Sequence, residues 1–240
     1  MRFPRLSFRP SMVGIDHREP KMKVELSEAV LARWPRLQVE GLIARDIEAA
    51  ALPSAAPSWV DDGADWDALL GQWKAFYRAW PGDKQARCSL AYLAKAAQAG
   101  KLRSILPLVD LYNQASLLSR SPFGGEDIAK LGGELRLDLA RGDEPFLPLG
   151  KTATEFPQPG EAAWLSGGET VCRCLNWLES DRFKLDEGSR SVLFVSERPD
   201  LDFPSGAAGM DWLAERLGPH AAACRRFRLD AANPALEDAR

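Results

Sequence analysis

The apolar residues of this chain change their period part-way along it. From Asp65 to Leu118 they recur every three or four residues, and from Glu134 onward they alternate with charged residues or gather in short runs. The first pattern belongs to amphipathic helices and the second to strands. Asp65 can cap a helix over 65–80 whose apolar face is Trp66, Leu69, Leu70, Trp73, Phe76, Tyr77 and Trp80, ended by Pro81-Gly82. Leu90, Leu93, Ala94 and Ala97 predict a second helix over 84–99, stopped at Gly100. A third runs over 107–119 from Pro107, with Leu108, Leu111, Tyr112, Ala115 and Leu118 on one stripe. Strands follow at 134–140, where Leu135, Leu137 and Leu139 alternate with charges, and at "AAWL", "TVCRCL" and "SVLFVS". A last helix is predicted over 209–217.

Helices first and strands later predict an α+β fold, a β-rich body over 133–200 covered by the three helices. Trp66, Trp73, Phe76 and Trp80 are expected in its core. Ahead of the helices, 23–37 reads as a short strand, a helical turn and a break at Pro35; 41–47 reads as a strand and 50–64 as a Pro/Ala/Ser loop. The expected organisation is a basic arm over 1–23, one folded module over 24–220 and a C-terminal tail over 221–240.

Charge separates the arm from the rest. Residues 1–23 carry six Lys/Arg against Asp16 and Glu19, a net of +4; with −3 for the whole chain, the remainder carries −7. Such an arm suits phosphate contacts, a mobile tail, or sequence upstream of a start at Met22. The acidic total argues against tight nucleic-acid binding, which favours a basic surface. No apolar run approaches the roughly 18 residues of a membrane span. The N-terminus lacks an apolar signal core of about 7–15 residues. Four cysteines are too sparse for a disulfide framework. The expected compartment is the cytoplasm, with no membrane partner.

Few residues offer chemistry outright. Cys172 and Cys174 share a strand face, but no second ligand pair stands at a metal-binding spacing, so no metal is expected. His17 and His220 lie in terminal segments, which leaves the body of the chain without the histidine of a Ser-His-Asp or Cys-His site. No phosphate-binding glycine loop occurs, so no cofactor is expected. "GGE" occurs at 124–126, 132–134 and 167–169, and each pair of glycines suits a tight turn or the close approach of a ligand to backbone. Asp110 and Asn113 lie one turn apart beside the apolar stripe of the third helix, ahead of "PFGG". They are either polar residues at the edge of a capped helix or one end of a pocket.

The stretch 108–150, "LVDLYNQASLLSRSPFGGEDIAKLGGELRLDLARGDEPFLPLG", resembles the tRNA-binding and editing module of the phenylalanyl-tRNA synthetase beta subunit, its third and fourth domains. Val109, Asp110, Asn113, Pro122, Asp127, Ala140, Gly142 and Glu144 match that family's pattern, with Asp143 inserted before the Glu, and "SRSVLFVSE" resembles its final core strand. The resemblance spans about residues 24–205 and is nearest to a stand-alone form without a synthetase catalytic domain. It implies a β-sandwich with helices on one side, the aminoacylated 3′ end of a tRNA and an amino acid as partners, and hydrolysis of a mischarged aminoacyl ester in trans. The alternative is a module that binds aminoacyl-tRNA or an amino acid without cleaving it; a scaffold for a protein partner is a third reading. Asn113 is the implied catalytic residue, its amide able to donate to an ester carbonyl. Asp110, Tyr112, Gly124, Gly125, Val195 and Glu197 are implied to line the substrate site. Tyr112 stands at the family's Thr, Gly124 at its loop His and Val195 at the Glu that reads a tyrosine hydroxyl, with Glu197 two residues on and on the same face. The resemblance therefore does not bring tyrosine specificity with it.

Overall fold

The computed structural model describes residues 21–79 and 82–238, which form ten strands and five helices. The first half holds β1 (Met22–Leu26), α1 (Glu28–Arg33), β2 (Gln38–Arg45), α2 (Trp66–Ala79), α3 (Ser89–Gln98) and α4 (Pro107–Ser119). Then follow β3 (Gly124–Asp127), β4 (Glu134–Leu139), β5 (Ala162–Ser166), β6 (Glu169–Arg173), β7 (Leu178–Glu179), β8 (Val192–Arg198), α5 (Ala207–Leu217), β9 (Ala223–Leu229) and β10 (Ala235–Asp238). The fold is α+β, as the change of period predicts.

Two sheets carry it. One has six strands in the order β10-β1-β4-β5-β6-β7; the other has four, β3-β8-β2-β9. The two inner strands of the four-stranded sheet, β2 and β8, are buried on both faces, which is why "GLIA" and "VLFV" read as continuous apolar runs rather than alternations. Its odd-numbered side chains, Val39, Ile43, Leu193 and Val195, meet Val24, Leu135, Leu137 and Trp164 of the six-stranded sheet in one core. Its even-numbered side chains, Leu42, Ala44, Val192 and Phe194, meet Leu108, Leu111 and Ala115 of α4 and Met210, Leu213 and Leu217 of α5 in another. Sheet, sheet and helices make three layers.

The helices divide their labour differently from the sequence expectation. Only α4 and α5 cover the outer face of the four-stranded sheet, whereas α2 and α3 send Trp66, Trp73, Tyr77, Leu90, Ala94 and Ala97 into the inter-sheet core. Trp66 and Trp73 are buried and Phe76 is half-buried; the burial expected of Trp80 lies outside the described residues. α3 starts five residues later than its apolar period suggests. The turn at Asp83, whose carboxylate accepts from the Gln85 N–H, occupies the preceding segment.

The expected C-terminal tail is part of the body. β9 pairs antiparallel with β2, and β10 with β1. Asp238 is buried and accepts from Arg45 Nη2 (2.9 Å) and Arg225 Nη1 (2.7 Å), so the last strand is held by a charge cluster rather than by apolar burial. Glu40 accepts from Arg226 and Arg228 in the same way. The charge-rich "CRRFRLD" hides this strand from an apolar reading. Lys21 of the expected arm precedes β1, Met22 and Lys23 lie in it, and residues 1–20 lie outside the described residues.

"PFGG" is likewise a strand and not a turn. The chain leaves α4 through Arg120, whose φ of 54° gives the left-handed cap, and Gly124 and Gly125 pair with Val195 and Phe194. A Cβ at 125 would lie 3.1 Å from the Phe194 ring and 3.2 Å from the Tyr112 ring, so the glycine lets both rings pack close to the strand. The other two "GGE" sites are turns as expected, with positive φ at Gly133, Gly167 and Gly168.

Candidate functional site

α4 brings Tyr112, Asn113 and Ser116 to the mouth of a cavity of about 170 Å³ that opens between it and the inter-sheet core. Phe123 and Gly124 of the segment after α4, Val195 and Glu197 of β8, Trp164 of β5, and Leu90 and Leu93 of α3 complete much of the wall. A larger outer groove of about 430 Å³ adjoins it, lined by Ile105, Val109, Gly125 and the 184–187 loop. Tyr112, Asn113, Leu149 and Glu179 belong to both and form the partition between chamber and groove.

The expected site residues separate on this geometry. Tyr112, Asn113, Gly124, Val195 and Glu197 all line the inner chamber, and Gly125 lines the outer groove. Asp110 does not belong with them: it is buried and accepts from the Ile105 N–H (2.9 Å) and the Ser104 hydroxyl, tying the incoming chain to the first turn of α4. Its carboxylate is consumed by that tether, so the paired polar residues of the helix have different jobs. Asn113 is half-buried, and its amide has no hydrogen-bond partner among the described residues. Of the eight residues that carry the sequence pattern, Asn113 alone lines the inner chamber. Gly142 and Glu144 instead build a turn in which the Glu144 carboxylate accepts the Arg141 and Gly142 N–H groups, both at 3.0 Å.

The chamber also contains acidic groups that the sequence reading passed over. Glu126 and Glu179 both line the chamber and influence each other's ionisation. Burial, and then the neighbouring Glu179, hold the Glu126 carboxyl well above the usual carboxylate range; burial also raises Glu179. The two carboxyls titrate as a pair, Glu126 fully buried and Glu179 half-buried at the partition. Glu197 accepts from Trp164 Nε1 at 2.6 Å, yet burial still pushes it up to about 7. One oxygen of each of the three, Glu126 Oε2, Glu179 Oε1 and Glu197 Oε2, has no hydrogen-bond partner.

A strained turn supports the far wall. Cys174 and Leu175 are both left-handed, with φ of 49° and 68°. The Cys174 carbonyl accepts from the Tyr77 hydroxyl at 2.9 Å, and the Leu175 N–H donates to the Ala162 carbonyl at 3.0 Å. The turn places Asn176 in the chamber beside Glu197. Cys172 lines the chamber as a protonated thiol, its ionisation suppressed by burial. No set of three His, Cys, Asp or Glu side chains among the described residues converges on a position for a metal ion.

A second feature shares no lining residue with the chamber. A cleft of about 560 Å³ between α2 and the start of α3 is walled by Trp73 and Tyr77 and edged by Lys74, Arg78, Lys84 and Arg87. All four cations are exposed, and none forms an ion pair among the described residues.

A sequence profile described as the B3/4 domain matches residues 72–201, more than half of the chain, and every residue of chamber and groove falls inside that span. The chain belongs to the B3/4 domain family. No curated protein sequence matches it. Among solved structures, it is similar to an N-terminal fragment of the phenylalanyl-tRNA synthetase beta-subunit from Pyrococcus horikoshii, at 10% identity and a TM-score of 0.48, over 85% of this chain and 53% of that one. This B3/4 chain thus spans about half the length of that fragment. No helix among its described residues is long and apolar enough to cross a membrane.

Proposed function

We propose that this B3/4 chain is a tRNA-binding module that acts in trans, hydrolysing a mischarged aminoacyl-tRNA with the aminoacyl group held in the inner chamber. The observation that carries the reading is the partition: an unpartnered Asn113 amide and the ionisable Glu179 stand together where the chamber meets the open groove. An ester seated there has its amino-acid side inside and its ribose side in the groove. The Asn113 Nδ2–H is suited to donate to the ester carbonyl as negative charge develops on it. Glu179, half-buried at the partition, is suited to accept a proton from the attacking water. Water adds to the carbonyl carbon, the bond from that carbon to the ribose oxygen breaks, and the ribose oxygen takes a proton; free amino acid and uncharged tRNA leave.

The basic cleft between α2 and α3 supports the tRNA part of the reading. It gathers four unpaired cations on a chain whose net charge is −3, and phosphate contacts need such a surface. The test is a deacylation screen of charged tRNAs with the full chain. One or more should be hydrolysed, and Asn113→Ala should slow that tRNA by roughly 10²–10³-fold. Binding without cleavage is the second reading, favoured by a chamber wall that holds no histidine. It replaces the first if every charged tRNA survives both wild type and Asn113→Ala while one still binds.

A further inference from the structure

The inner chamber contains more acid than hydrolysis needs. Glu126 and Glu197 are each 2% exposed, and with Glu179 they make three carboxyl groups on one cavity wall. No Lys, Arg or His among the described residues pairs with any of the three. Lys130, the nearest cation to influence Glu126, is engaged by Asp186 at 2.6 Å. Uncompensated buried carboxylates are costly, and proteins normally pair them. Here the wall leaves one oxygen of each without a partner.

We propose that the inner chamber selects an amino acid with a cationic side chain, an ammonium or a guanidinium, whose charge faces Glu197 and the Glu126–Glu179 pair. Size agrees. A cavity of about 150 Å³ holds a benzene ring, and this one is about 170 Å³, which suits a four-carbon stem with its ammonium or the slightly longer guanidinium side chain. The lining agrees as well: Leu90, Leu93, Phe123 and Val195 offer apolar surface to a methylene stem, and the carboxylates await its charged tip. A lone hydroxyl brings a single donor and leaves most of the acidic oxygens unmatched, whereas an ammonium brings three donors and a guanidinium five. A metal ion does not fit, because the acidic groups do not converge on one point. Carboxylates spread along a wall suit an extended organic cation.

The inference rests on the chamber being the seat of the aminoacyl group, and its test separates the two. L-lysinamide and L-argininamide stand in for the ester-linked amino acid; L-norleucinamide has the lysine stem without the ammonium, and L-tyrosinamide has a neutral hydroxyl. Titration calorimetry on the full chain should find one of the two cationic amides binding at least tenfold tighter than norleucinamide and tyrosinamide. Glu126→Gln and Glu197→Gln should each remove most of that preference. The wild-type comparison stands even if a variant fails to fold. Equal or tighter binding of either neutral amide, or no binding of both cationic ones, overturns the proposal. If the cationic amides fail but another charged tRNA is hydrolysed in an Asn113-dependent way, the specificity is wrong and the hydrolase reading survives. If a cationic amide binds and no charged tRNA is cleaved, the reverse holds.

Discussion

Glu197 sets its own pH dependence on folding. Its carboxyl titrates near 4.5 in the unfolded chain and about 7 in the folded one, raised chiefly by burial. Below pH 4.5 it is neutral in both states. Between 4.5 and 7 the unfolded chain ionises and the folded chain does not, so stability falls as pH rises through that window. Above 7 the loss is complete, about 3 kcal/mol at 1.36 kcal/mol per unit. Glu197→Gln keeps an acceptor for Trp164 Nε1 and removes the ionisation, so it should flatten this slope and be the more stable protein at pH 8. Urea unfolding at pH 4.5 and pH 8 measures both, and a wild type equally stable at the two values would contradict the assignment. A residue kept at that cost fits a binding role, since natural proteins often give up stability at functional sites.

The packing of α4 against α5 sets the position of the helix that carries Asn113. Gly209 makes the contact possible: a Cβ there would lie 2.7 Å from Phe123, 2.8 Å from the Ala115 carbonyl and 2.8 Å from the Ser119 hydroxyl. Gly209→Ala should therefore force the helices apart and cost about 1–3 kcal/mol, with a lowered thermal midpoint as the readout. Asp110→Ala should also destabilise by about 1–3 kcal/mol, because Ser104 and the Ile105 N–H lose their acceptor. It should do so without the specific loss of deacylation expected of Asn113→Ala, because its carboxylate does not line the chamber. These elements also mark how far the sequence could be read. α4 is legible from Pro107 to Ser119 because its period, first-turn proline and cap all agree. Asn113 is singled out by resemblance, and the structure places it on the lining of the chamber. Asp110 could not be separated from Asn113 by spacing, since only the path of residues 104–105 decides which one is tethered. β9 and β10 escaped notice because charge clusters around Glu40 and Asp238 hold them, and periodicity registers apolar burial. Glu126 and Glu179 meet across strands far apart in the chain, which no local pattern records.

At the scale of the whole molecule, charge divides the surface into two tasks. The inner chamber is acidic and faces the groove beside α4, whereas the four cations without ion pairs edge a separate cleft between α2 and the start of α3. With a net charge of −3, non-specific attraction to RNA is weak, so affinity must come from a localised basic surface. Lys74 and Arg78 are one turn apart on α2 and reach the cleft together. Replacing both by Glu should weaken tRNA binding at least tenfold at about 50 mM salt and make the dependence of log affinity on log salt shallower by about 1.5 to 2, the share of two lost phosphate contacts. Binding of a small amino-acid amide in the chamber should not change, because no residue of the cleft lines it. Filter binding over a salt series, with calorimetry of the amide as the control, gives both numbers. An unchanged salt slope would move the tRNA contact elsewhere, and a loss of amide binding in the same variant would mean that α2 transmits the change through Tyr77 and Asn176 to the chamber wall.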